Sequence, residues 1–155
     1  MGTKMTTKIT AADSRLLINA LGANGAFSAL SGISMLIAPA AIAGFLGPIP
    51  EGQIFEMGIM LLLFGAVLLT YFMQKRVRKI DAIVVSVLDL GWVIGSIALI
   101  NLQPNLFSEG GSIAVIAVGV IVLTFFDLQI LALWKYFRQQ RDAARAITGS
   151  NAAAG

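Results

Sequence analysis

Four long apolar stretches run along the chain, separated by shorter segments rich in polar residues, glycine and proline. A helix of about 20 residues is roughly 30 Å long, which matches the hydrocarbon core of a bilayer. The pattern therefore predicts an all-α integral membrane protein with four transmembrane helices, flanked by polar tails at residues 1–15 and 137–155. The predicted spans cover residues 16–38, 54–73, 80–102 and 113–136.

The connections between the spans are short, so consecutive spans are expected to run antiparallel and to form an up-down four-helix bundle. In the first connection, Pro39 is expected to end or kink the preceding helix, and the apolar residues 40–46 are expected to lie as a short turn at the membrane interface. Residues 1–14 are expected to be a mobile polar tail. The fourth helix is expected to continue as a polar helix over 137–146, before a disordered end at 148–155.

All the basic side chains lie in segments that the pattern places on one side of the membrane. Lys and Arg residues in short loops stay on the cytoplasmic side during insertion, so both termini are predicted to be cytoplasmic. The net charge of +3 follows from this asymmetry, and it requires no nucleic-acid partner. The eleven basic residues are Lys4, Lys8, Arg15, Lys75, Arg76, Arg78, Lys79, Lys135, Arg138, Arg141 and Arg145.

The composition agrees with a bilayer as the solvent and main partner of the chain. Hydrophobic residues make up 57% of the sequence and charged residues 12%, whereas soluble domains usually carry about 25% charged residues. The sequence has no cysteine and no histidine, which excludes disulfides, thiolate metal sites and histidine-dependent catalytic triads within it. We recognise no catalytic motif and therefore expect a protein that is not an enzyme, with no cofactor and no metal ion.

Three polar residues lie near the middle of their predicted spans: Asn24, Asp89 and Asp127. Counted at about 1.5 Å per residue, each is roughly 12–14 Å from the cytoplasmic end of its helix. An ionised carboxylate facing lipid at that depth costs at least about 2.5–3.5 kcal/mol. We therefore expect the three side chains to point inward and meet. The polar residues expected to support this cluster are Asn19, Ser28, Ser31, Ser86, Ser96, Thr124 and Gln129.

Two interpretations of this predicted cluster stay open, and a ligand or partner interface is a third. In the first, protonated Asp89 and Asp127 hydrogen-bond to Asn24 and organise the packing of the helices. In the second, the two carboxyl groups exchange protons or cations with the cytoplasm through Asn19, Gln129 and Arg15, as in a small carrier or channel subunit. The first interpretation is the one that we favour from the sequence.

The basic turn between the second and third spans is the place where anionic lipid headgroups are expected to bind, if they bind specifically. The positive-inside rule alone also explains a basic turn at this point. The candidate contacts are Lys75, Arg76, Arg78 and Lys79.

Glycines at helical spacing occur in the first three spans, as in Gly91 and Gly95 of the third. Small residues at this spacing let two membrane helices approach closely. The approach is expected either within the bundle or between protomers. A homo-oligomer or a membrane-protein partner is therefore a further expectation.

Two short stretches carry a resemblance to known proteins. Asn19-Ala20 and residues 24–32, with Pro39 closing the span, form the first stretch, and residues 89–93 form the second. They resemble the first and third spans of small bacterial four-span membrane proteins of uncharacterised function. The resemblance implies a multipass protein of the bacterial cytoplasmic (inner) membrane, and it implies no established activity.

Overall fold

The computed structural model describes residues 8–10 and 14–153; for Lys8 and residues 146–153 only the backbone is considered. The described residues form five α-helices and one short two-stranded ladder. In chain order these elements are β1 (Lys8–Thr10), α1 (Arg15–Ile37), α2 (Pro39–Leu46), α3 (Glu51–Gln74), β2 (Arg76–Arg78), α4 (Lys79–Leu102) and α5 (Glu109–Ala153).

Four of the helices, α1, α3, α4 and α5, are long and apolar enough to cross a membrane. Each contains one of the four apolar stretches, and the predicted all-α class is confirmed. The helices begin somewhat earlier than predicted where the preceding residues still favour a helix. Glu51 and Glu109, for example, each lie in a first helical turn, where the helix dipole stabilises an acid.

A two-turn helix, α2, replaces the interfacial turn that was expected after the first span. Pro39 is its first residue, a position where the missing N–H of proline removes no hydrogen bond. The end of α2 is tied to the segment before α5, because the Ser108 backbone N–H donates to the Leu46 carbonyl at 2.7 Å. The Ser108 hydroxyl also donates to the Phe45 carbonyl at 2.7 Å. The two connections at this end of the protein therefore contact each other.

Glycines bring α1 and α3 into backbone contact. A Cβ atom added at Gly32 would lie 2.7 Å from the Gly58 carbonyl oxygen, and one added at Gly65 would lie 2.6 Å from the Ala29 nitrogen. Gly25 faces Gly65 in the same way, at 3.1 Å from its carbonyl oxygen. For these four glycines, the close approach predicted from the sequence therefore occurs within the chain.

The segment before α1 contains an element that the sequence pattern did not predict. Lys8–Thr10 pairs antiparallel with Arg76–Arg78, and Ile9 lies opposite Val77. Both side chains are fully buried, Ile9 at 0% exposure and Val77 at 1%. The expectation of a mobile tail over residues 1–14 is therefore wrong for residues 8–10 and for Ser14, which caps α1, while 1–7 and 11–13 lie outside the described residues. A three-residue strand is too short for a periodic signal, and its partner is far away in sequence.

Replacing Ile9 with alanine is expected to lower the free energy of unfolding by about 2 kcal/mol, because it removes a fully buried branched side chain. Equilibrium unfolding in detergent micelles measures this loss. Ile37→Ala is the matched control, since Ile37 is 78% exposed and its truncation empties no packed space. Equal effects of the two substitutions would show that the β1–β2 ladder adds nothing to stability.

The last helix is longer than expected. α5 continues without a break from Glu109 to Ala153, whereas residues 148–155 were expected to be disordered. That expectation is wrong for the backbone of 148–153, and residues 154 and 155 lie outside the described part. Alanine has the highest intrinsic helix propensity, so the alanine-rich end continues the helix despite its polar neighbours.

Candidate functional site

Asp89 lies at the centre of a buried polar cluster where three helices meet. Its carboxylate, on α4, is only 4% exposed. The Asp89 Oδ2 atom accepts a hydrogen bond from Asn24 Nδ2 on α1 and another from Gln129 Nε2 on α5, each at 2.8 Å. One carboxylate oxygen thus joins three elements that are far apart in sequence.

Two serines complete the cluster from the same helix faces. The Ser28 hydroxyl donates to Asn24 Oδ1 at 3.3 Å, one helical turn further along α1. The Ser86 hydroxyl lies 2.9 Å from Gln129 Oε1 and 3.0 Å from the Ala82 carbonyl, so its single proton is shared between these acceptors. Both serines therefore hold the amide groups with their N–H sides toward the carboxylate. Among the described residues, every fully buried side-chain nitrogen or oxygen has a hydrogen-bond partner.

Helical spacing places these residues together. Asn24 and Ser28 are four residues apart, and Ser86 and Asp89 are three apart, so each pair occupies one face of its helix. That face is buried in both helices. A buried polar cluster between the first, third and fourth long helices is therefore present, and five of the residues expected in it or beside it take part.

No basic side chain within the described part of the chain contacts this cluster. The hydrogen bonds to the Asp89 carboxyl group come from amides alone. Hydrogen bonds to a charged group contribute about 1.5–3 kcal/mol each, which offsets part of the cost of removing a carboxylate from water. The cluster consequently depends on both amides at once.

Asp127 is the main correction to the predicted cluster. Its side chain is exposed on the outer surface of α5, and Gln129 takes the inward position that was assigned to it. The two residues are two positions apart, which is about 200° around a helix, so only one of them can face the interior. The buried positions of α5 include Val122, Ala132 and Tyr136, a spacing that contains residue 129 and leaves out residue 127. The sequence offered no signal for this choice, because apolar residues surround Asp127 on every side of the helix.

The remaining supporting residues lie outside the hydrogen-bond network of Asp89. Asn19 and Thr124 are exposed, and the Thr124 hydroxyl donates to the Val120 carbonyl of its own helix at 2.8 Å. Ser31 and Ser96 are half-buried. The predicted contribution of Asn19 and Thr124 to the cluster is wrong, because each points to another side of its helix. Ser31 and Ser96 lie on the same faces as Asn24 and Asp89 but about two turns further along, and no hydrogen bond joins them to the cluster.

At the basic turn, Arg78 is engaged by an acid of the chain itself. Its guanidinium donates to both carboxylate oxygens of Asp81, at 2.7 and 2.8 Å, and the Tyr71 hydroxyl donates to the same carboxylate at 3.0 Å. The hydrogen bonds to Asp81 raise the pKa of Arg78.

A cavity of about 180 Å³ opens beside the Arg78–Asp81 pair. It is lined by Tyr71, Gln74, Arg76, Val77, Arg78 and Asp81.

Lys79 is also engaged within the chain. Its ammonium group lies 5.3 Å from the centre of the Tyr136 ring and donates to Gln140 Oε1 at 3.4 Å. Lys75 and Arg76 are exposed, and Lys75 has the left-handed φ of 51° that ends α3. Contact with anionic lipid headgroups stays a prediction, and Lys75 and Arg76 are the residues best placed to make it because both are exposed.

An apolar layer separates the Asp89 cluster from the β1–β2 ladder. Leu17, Leu21 and Leu133 are buried here, and Ile9 and Tyr136 pack in the same hydrophobic core. Asn19, the residue expected to lead from the cluster toward the cytoplasm, points outward instead. The end of the cluster nearer the β1–β2 ladder is therefore covered by hydrocarbon side chains.

Comparison with known proteins provides no relative: no family model, curated protein or solved structure matches this chain. Within the described residues, no three His, Cys, Asp or Glu side chains lie close enough together to hold a metal ion. The features of the chain that bear on its function are the four apolar helices and the geometry of the Asp89 cluster.

Proposed function

We propose that this chain is a non-enzymatic multipass membrane protein in which Asn24, Asp89 and Gln129 hold three transmembrane helices together. The pair of 2.8 Å hydrogen bonds to Asp89 Oδ2 is the observation that carries the proposal. Polar contacts between membrane helices contribute about 0.6–2 kcal/mol each, a large share of the energy that distinguishes one packing from another in lipid. The cluster selects the mutual rotation of α1, α4 and α5.

The proposed arrangement is an up-down bundle with both termini in the cytoplasm. The segregation of all Lys and Arg residues supports this orientation. The contacts of α1 with α3 support antiparallel neighbours, because Gly25 meets Gly65 while Gly32, further along α1, meets Gly58. With the sequence resemblance, these observations favour the bacterial inner membrane.

The alternative is a small proton- or cation-coupled carrier that uses the carboxylate of Asp89. A carboxylate near mid-membrane with no basic partner is the observation that favours it, since such groups often mark ion pathways. Two features count against it. Asp127 does not lie beside Asp89, and hydrocarbon side chains cover the end of the cluster nearer the β1–β2 ladder.

Flux measurements in proteoliposomes distinguish the two functions. For the proposed role, proton or monovalent-cation flux through the wild-type protein is expected to equal that of protein-free vesicles, because hydrocarbon side chains cover one end of the cluster. A pH-sensitive dye inside the vesicles, under an imposed potential, measures the flux. Flux that disappears in folded Asp89→Asn protein, and persists in the control Glu56→Gln, would instead establish the carrier.

A further inference from the structure

We propose that the outer face of α5 around Asp127 binds a second copy of the chain in the membrane, forming a parallel two-fold dimer. This inference goes beyond the proposed function, because the Asp89 cluster lies within one chain. Its starting point is the exposure of Asp127 in the middle of an apolar helix, where Leu131 and Val120 on the same side are 42% and 60% exposed. The residues of α5 that lie on this side of the helix between positions 113 and 134 are called the Asp127 face.

Contact of the Asp127 carboxyl group with lipid hydrocarbon is energetically unfavourable. Asp127 lies nine residues before Tyr136, which is about 13 Å along the helix and close to the bilayer centre. An aspartate side chain is too short to reach the interface from there, and the nearest cation on its helix, Lys135, is about 12 Å away along the axis. Charged groups at this depth almost always pair with another polar group. Lipid supplies none, and the hydroxyl of Thr124, one turn away on α5, donates to the Val120 carbonyl instead.

The Asp127 face has the spacing of a helix-pairing seam. Its exposed positions follow one another at alternating steps of four and three residues, the repeat with which two helices pack side by side at a small left-handed crossing angle. Thr124 and Asp127 lie at the middle of the seam, between apolar residues on both sides. The positions are Ile113, Ala117, Val120, Thr124, Asp127, Leu131 and Trp134.

A second copy of the chain can provide a polar partner for Asp127 near the bilayer centre. Two copies inserted with the same orientation place their Asp127 residues at equal depth, so a two-fold axis along the membrane normal brings the carboxyl groups together. At such a contact, a carboxyl group of one copy can hydrogen-bond to the carboxyl group of the other. One polar residue at such a seam also selects register and oligomeric state.

The contact is expected to end at Trp134. Arg138, Arg141 and Arg145 continue the same face beyond the apolar part of α5 and are exposed. Three pairs of like charges in close contact repel, which separates the two helices where they enter water. Arg138 already packs over the Trp134 ring of its own chain, at 5.4 Å from the ring centre.

Crosslinking tests the face directly, because the chain has no cysteine of its own. Val120→Cys and Leu131→Cys are expected to form disulfide-linked dimers in liposomes under mild oxidation. Leu63→Cys on α3 is the control: it is 63% exposed and, like Val120, lies within the apolar part of its helix. Similar crosslinking at all three positions, or crosslinking at Leu63 alone, would overturn the proposal.

Substitution of Asp127 tests the role of the carboxyl group. In subunit counting by single-molecule photobleaching across a range of protein-to-lipid ratios, Asp127→Leu is expected to weaken dimerisation by about 3- to 20-fold. Asp127→Asn keeps a hydrogen-bonding side chain and is expected to stay dimeric. Both variants should fold, because residue 127 is exposed; the thermal transition of each sample checks this. A monomeric wild type, or an Asp127→Leu variant that dimerises as tightly as wild type, would refute the interface.

Discussion

Replacing Asp89 with alanine is expected to lower the free energy of unfolding by about 2–4 kcal/mol. The substitution removes the acceptor of both Asn24 Nδ2 and Gln129 Nε2, and each buried donor left without a partner costs about 1–3 kcal/mol. Release of the buried carboxylate offsets part of this loss. Chemical unfolding in a fixed detergent, followed by helical circular dichroism, measures the difference.

The Asp89→Asn variant tests whether the loss of stability comes from the missing hydrogen-bond acceptor. Asp89→Asn keeps an oxygen acceptor of nearly the same shape, so we expect it to lose less than half as much stability as Asp89→Ala. Leu88→Ala is the neighbouring control, because Leu88 is 53% exposed on the other side of α4. If Asp89→Ala were no more destabilising than Leu88→Ala, the cluster would not organise the bundle, and the proposed function would fail with it.

Introducing leucine at Gly65 is expected to cost about 3 kcal/mol and to disrupt the pairing of α1 with α3. The first added carbon would lie 2.6 Å from the Ala29 nitrogen and 2.7 Å from the Gly25 carbonyl oxygen. Both contacts are with backbone atoms, which cannot move away by a change of rotamer as a side chain can. The two helices must therefore move apart along their whole contact.

Gly91→Leu is the matched control for this prediction. Gly91 also lies within an apolar helix, but a Cβ atom there would meet no atom within 4 Å. Its replacement is expected to leave stability unchanged or slightly raised, since glycine is a poor helix former. A comparable loss of stability from Gly91→Leu would mean that leucine harms any position of these helices, and that backbone contact at Gly65 is not the cause.

The same pair of glycines illustrates how far sequence spacing can be interpreted. Gly65 and Gly91 both belong to small-residue motifs, and from the sequence either could mark a close helix contact. Only the α3 glycine meets a neighbouring backbone. The motif indicates that close approach is permitted, whereas the rotation of each helix decides whether it occurs.

Asp89 and Asp127 differ for the same reason. Their depth follows from counting residues along a helix, and for Asp89 the inward direction and the contact with Asn24 follow from the buried stripe of α4. The stripe of α5 includes Gln129, so the expectation for Asp127 was wrong, and the residue that was expected only to support the cluster binds Asp89 directly. The depth of a residue follows from its position along one helix. Whether its side chain contacts another depends on how three helices are rotated about their axes.

The sequence by itself determined the helical class and the four apolar helices long enough to cross a bilayer, because each depends on about 20 adjacent residues. Tertiary structure alone decided that Gln129 completes the Asp89 cluster and that Ile9 pairs with Val77. These contacts join residues 40 or more positions apart. Each depends on how whole helices rotate and dock, and in an apolar sequence many rotations bury similar area. A few hydrogen bonds and backbone contacts at glycine select among them.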